Sequence, residues 1–184
     1  MIKTINFCGD SFCASRDENS WIVILSRMLN YEIWGTGKNG TAYEHAIKTF
    51  HPTATATVFC WTEPHRLYHP TKHLNMASSE QKRDRCRIHA AAHEYYKHIH
   101  NPDLMIERKQ RDFFWFDEKV LKNYEGKIVH LFSFESAEYP FKHGVIFEKP
   151  LVLLKHGLSS IYPNHMTLEN NAKLARLVYN LLIK

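Results

Sequence analysis

No run among these 184 residues approaches the roughly 20 consecutive apolar positions that a membrane-spanning helix needs, so no membrane partner is expected. The first seven residues alternate and lack the apolar centre of a signal peptide. The four cysteines, Cys8, Cys13, Cys60 and Cys86, show no paired framework, which points to a reducing, cytoplasmic setting. There is no internal repeat, no low-complexity linker and no long block of one charge. Basic residues number 24 and acidic residues 19, and the two kinds interleave, so the net charge of +5 permits an anionic partner without requiring one. Neither Cys-x-x-Cys nor His-Glu-x-x-His occurs. The stretch from Gly35 to Gly40 lacks the Lys-Ser/Thr of a phosphate-binding loop, and no dinucleotide fingerprint is present. No metal or organic cofactor is expected.

What remains is ordinary globular material. The hydrophobic share is 44% and the charged share 23%, in a length that corresponds to one domain spanning 1–184. Thr4 to Cys8, Tyr31 to Trp34, Thr55 to Trp61 and Lys127 to Phe134 read as strands. A fifth falls between Val145 and Leu154, interrupted by Pro150. Apolar positions 21, 22, 25, 28 and 29 make a helical stripe behind Ser20, and a second helix follows from Tyr43 to Phe50. Ser78 and Gln81 form a capping-box pair ahead of one long polar helix to about His100. Asn101-Pro102 stops it and starts another, which ends near Gly126. Thr167 caps a last helix with Leu174, Ala175, Val178 and Leu182 on its core face. Strands alternating with helices imply an α/β domain with a mostly parallel sheet, carrying a helical insertion over about 76–125. In such sheets the functional residues gather at the carboxyl ends of strands.

Three of those ends carry small or polar turns: Gly9-Asp10-Ser11, the segment from Gly37 to Gly40, and Thr62-Glu63. A serine leaving the first strand can stand above the sheet with free backbone N–H groups beside it, although Gly-Asp-Ser is also an ordinary turn. The Gly-x-x-Gly-Thr spacing from Gly37 to Thr41, and Tyr162-Pro163-Asn164-His165 just before the last helix, complete a pattern. Together these segments resemble the SGNH/GDSL hydrolases, serine esterases and lipases with a flavodoxin-like three-layer α/β/α fold. The resemblance covers roughly residues 3–66 and 127–184. It implies that Ser11 is the nucleophile and His165 the general base. It also implies that the N–H groups of Ser11 and Gly40 form the oxyanion hole. A serine hydroxyl needs an imidazole to take its proton, and each oxyanion donor is typically worth about 3 kcal/mol.

Two positions depart from the family pattern. Glu63 stands where an oxyanion-donating Asn belongs, and Tyr162 where the acid that orients the histidine belongs. A carboxylate repels an oxyanion, so Glu63 is protonated, turned away or used otherwise; one such use is to supply the charge that Tyr162 cannot. Arg66 either pairs with Glu63, as a surface ion pair or as part of a site, or reaches an anionic substrate. Asp10 and Asn39 flank the motifs as auxiliary candidates. Trp61, Phe12 and Tyr162 read as packing around the strand ends, or as an apolar platform for a ligand.

Thirteen histidines raise the question of metal. His89 and His93 are four apart on a helix and share a face, but a zinc site needs a third ligand, so they read as a solvated face. Lys82, Arg83, Arg85, Arg87 and neighbouring aromatics are diluted by acids, and a nucleic-acid partner is not expected. The expectation is an SGNH-like hydrolase that cleaves an ester or O-acyl group on a small-molecule or carbohydrate substrate. The rival is a catalytically degenerate member of the same fold that binds a ligand or partner without turnover.

Overall fold

The computed structural model describes residues 2–154 and 163–184. Its centre is a five-stranded sheet in the order β2-β1-β3-β4-β5, built from Glu32–Gly35, Thr4–Gly9, Ala56–Trp61, Lys127–Phe132 and Val145–Ile146. Every pairing is parallel. β1 and β3 are buried along their whole length, which explains why they read as continuous runs rather than as alternating ones. Strand order reverses at β1, so the crevice above the carboxyl ends of β1 and β3 is the switch point where such sheets bind ligands. The flavodoxin-like architecture expected from the sequence is the one observed.

Helices cover both faces. α1 (Trp21–Leu29) and α6 (Leu168–Ile183) pack Trp21, Leu25, Leu174 and Val178 with Phe7, Val58 and Leu131. On the other face, α2 (Tyr43–Lys48) and α5 (Pro102–Lys119) bring Tyr43, Phe113 and Phe116 against Phe59, Trp61 and Phe132. Each fully buried ring contributes about 2–3 kcal/mol from removal of its apolar surface from water. The rings on this second face are stacked in sequence. Phe59 lies 4.6 Å from Trp61, and His130 lies 3.9 Å from Phe141. His130 accepts from the Trp61 indole at 3.0 Å, and its other nitrogen meets the His143 carbonyl at 2.9 Å. That pairing requires a neutral ring with its proton on Nε2, and burial pushes the His130 pKa down to about 4.

Several local expectations are corrected. The single helix expected from Ser78 to about His100 is two, α3 (Met76–Lys82) and α4 (Arg87–His98), separated by a tight 3-10 turn at Arg83–Arg85. The capping box is Asn75 with Ser78, three residues ahead of the expected pair, because the Asn75 side chain accepts from the Ser78 N–H at 2.8 Å. α5 packs Phe113 and Phe116 against the sheet. The segment between β3 and α5 has its own small core of Leu74, Ala92 and Tyr96. The fifth strand shrinks to two residues, and Leu151–Leu154 turns as 3-10 helix after Pro150. His89, expected on a solvated face, is 4% exposed. The caps expected at Asn101 and Thr167 form, accepting from Leu104 N–H at 3.2 Å and Asn170 N–H at 3.1 Å.

Candidate active site

Ser11 opens a 3-10 turn, Ser11–Cys13, directly beyond β1. Asp10 caps that turn: its Oδ1 accepts from the Phe12 N–H at 3.0 Å and from the Ser133 hydroxyl, at the end of β4, at 3.0 Å. The Asp10 side chain is wholly buried, and desolvation raises its pKa against the opposing pull of Arg66. Its Oδ2 has no hydrogen-bond partner, and neither has the Thr62 hydroxyl. Asp10 therefore anchors the turn from beneath and leaves Ser11 half-buried at the surface of the crevice.

The loop after β2 is tied to the same turn. Gly37 N–H donates to the Cys13 carbonyl at 2.9 Å, and Lys38 N–H donates to the Gly9 carbonyl at 3.0 Å. A side chain at position 37 would run into the Asp10 carbonyl and the Cys13 sulfur, so the close approach requires glycine. Gly40 has φ +64°, and a Cβ there would lie 2.6 Å from the His73 ring. Asn39 is exposed.

The third piece is the turn Pro163–His165, immediately before α6. Asn164 and His165 both adopt left-handed backbone, at φ 55° and 63°, an uncommon geometry held here by specific hydrogen bonds. The Asn164 Oδ1 accepts from Ser15 N–H at 2.8 Å, which joins this turn to the Ser11 turn. Asn171 donates to the Pro163 carbonyl at 3.1 Å and the Met166 carbonyl at 3.0 Å, and accepts from Trp21 N–H at 2.9 Å. The His165 ring lies 5.4 Å from the ring of Phe12, the neighbour of Ser11. Tyr162 lies outside the described residues.

Glu63 and Arg66 meet at the exit of β3, with Nε to Oε1 at 2.8 Å. Arg66 is 8% exposed, donates to the Thr41 carbonyl at 3.4 Å, and lies 5.3 Å from the Phe134 ring. The surface-pair reading is thereby corrected: this arginine is buried beside the crevice. Trp61 belongs to the core under α5, and Phe12 packs between Phe134 and His165. Sequence reasoning missed Ser133 and Asn171. Each left a signal: a polar residue just past a buried strand, and an asparagine on the apolar stripe of α6.

Among the described residues no helix is long and apolar enough to cross a membrane, and no group of three or more His, Cys, Asp or Glu side chains converges as a metal site. No protein-family model matches the chain, and no curated protein does. A solved structure is similar to it. That structure is described as a "putative lipolytic protein of G-D-S-L family" from Desulfitobacterium hafniense, at 12% identity and a TM-score of 0.45, over 98% of this chain and 99% of that one.

Proposed function

We propose that the protein is a serine hydrolase that cleaves an ester or O-acyl group. Ser11 attacks the carbonyl, His165 accepts its proton and returns it to the leaving alcohol, and the N–H groups of Ser11 and Gly40 hold the oxyanion. The observation that carries this reading is the joining of the two turns. Ser15 binds Asn164, and His165 rests against Phe12, so nucleophile and base share one edge of the sheet. Glu63 fits the same reading once its charge is balanced by Arg66, because a paired carboxylate repels a developing oxyanion less than a lone one.

The wild type is expected to react covalently at Ser11 with a fluorophosphonate and to hydrolyse an aryl acetate. Ser11→Ala should lower that turnover by about a thousandfold or more while the fold survives. Equal turnover by the two proteins would overturn the enzymatic reading. A second reading, ligand binding without turnover, is favoured by Glu63 itself, since Arg66 occupies the group that stands at the usual oxyanion-donor position. It predicts no probe labelling at Ser11.

A further inference from the structure

Of the four cysteines, Cys8, Cys13 and Cys60 are wholly buried and only Cys86 reaches the surface. Cys86 takes the N-cap position of α4, with extended backbone at φ −154° and ψ 119°. Ser, Thr, Asp and Asn are the usual residues there, because their oxygens accept from the free N–H groups of the first turn. A neutral thiol is a poor acceptor, whereas an ionised sulfur is a good one. His89, the third residue of α4, is 4% exposed. Neither of its ring nitrogens has a well-aligned hydrogen-bond partner, although buried polar atoms are nearly always paired. The polar group that this ring faces is the Cys86 thiol. The His89 ring, then the N–H groups of His89 and Ile88, favour the thiolate and bring the Cys86 pKa down to about 7. His73, from the loop before α3, also lies near the His89 ring.

The charges around Cys86 select what it meets. Arg85 and Arg87 flank it in the chain, and both are exposed. Arg83 is engaged by Asp84 at 3.8 Å and by the His93 ring at 3.2 Å. From Lys82 to Arg87 the basic residues Lys82, Arg83, Arg85 and Arg87 face a single acid, Asp84. A local excess of positive charge raises the concentration of anions around it. We propose that Cys86 is a thiol-exchange site for small disulfides that carry carboxylates, of which oxidised glutathione is the chemical type. The Cys86 sulfur attacks one sulfur of the disulfide, a new sulfur–sulfur bond forms, and the other half leaves as a thiolate. One disulfide is consumed and one is made, so no further oxidant is needed, and excess reduced glutathione reverses the step. Neither Ser11 nor His165 takes part, so the site does not depend on the hydrolase reading.

The test uses the full chain, with peptide mass spectrometry to locate each adduct. Iodoacetamide should alkylate Cys86 well ahead of the three buried cysteines, at a rate that rises through a midpoint near pH 7. In His89→Phe, which keeps a ring in the buried position, that midpoint should move up toward the ordinary thiol value of about 8.5. Oxidised glutathione should form a mixed disulfide at Cys86 that reduced glutathione removes, and Cys86→Ser should form none. Arg85→Gln combined with Arg87→Gln should slow this reaction about threefold or more. The same pair should leave the reaction with hydroxyethyl disulfide, which is neutral, within about twofold of the wild type. The proposal is overturned if the wild-type midpoint stands at about 8.5 or above. It is equally overturned if adducts favour Cys8, Cys13 or Cys60, or if the glutamine pair slows both disulfides alike. Should His89→Phe fail to fold, the wild-type midpoint and the arginine pair still decide.

Discussion

The sheet sandwich and the arm between β3 and α5 are built on opposite terms. In the sandwich, the second face alone stacks Phe59, Trp61, His130 and Phe141, and even its buried histidine has both nitrogens paired. In the arm, the buried apolar residues are Leu74, Ala92 and Tyr96, while His65 Nδ1, Ser79 Oγ, both ring nitrogens of His89 and His100 Nε2 are buried without partners. A region with a small core and unpaired polar groups opens more readily than the sheet beneath it. The contrast separates a scaffold built on stacked aromatic packing from an appendage with a small core and a polar interior.

The largest test of that contrast is truncation in the sandwich. Phe116→Ala should cost about 3–5 kcal/mol, read as a lower denaturant midpoint, because it opens a cavity among rings that cannot collapse into it. Next comes acid. The unfolded chain takes a proton on His130 as the pH falls through 6.5, whereas the folded protein keeps that ring neutral until about 4. Stability supplied by His130 is therefore complete above pH 6.5 and is lost as the pH falls toward 4, by about 3 kcal/mol across the window. Denaturant midpoints between pH 4 and 7 should show this slope in the wild type and lose it in His130→Phe. The smallest effect belongs to the arm. Leu74→Ala should cost about 2 kcal/mol locally, seen as faster amide exchange in α4 with little change in β3. Equal acceleration in both elements would mean that arm and sheet unfold as one, and the contrast would fail.

The scaffold was legible because its signals are physical and local. Buried parallel strands read as apolar runs, and Asn101 and Thr167 sit where a side-chain oxygen can meet free N–H groups. The turns at Ser11, Gly40 and His165 could be located because glycine and short polar residues mark strand ends. The arm was read less well. Nothing in Arg-Asp-Arg-Cys breaks a helix by propensity, so the division at Arg83–Arg85 left no sequence signal. The capping box at Asn75 was passed over because Ser78 also looks like a cap, although Ser78 is the third residue of the helix and returns the bond to Asn75. His89 lies in a polar helix, and periodicity cannot say which polar face a neighbouring segment covers. Glu63 and Arg66 were visible as a pair, but their burial depends on Thr41 and Phe134, which come from distant parts of the chain.

The two buried tryptophans give the molecule its own optical instrument. Trp21 lies in the core beneath α1 and Trp61 in the core beneath α5, while Trp34 and Trp115 face water. The Trp21 indole donates to the Phe12 carbonyl at 2.6 Å, inside the turn that presents Ser11, and the Trp61 indole donates to His130. With Trp34 and Trp115 replaced by phenylalanine, emission from one indole reports on the Ser11 turn and emission from the other on the protonation of the ring stack. Single-tryptophan versions would then show, without any added dye, whether the two sides of the sheet lose their structure at the same moment.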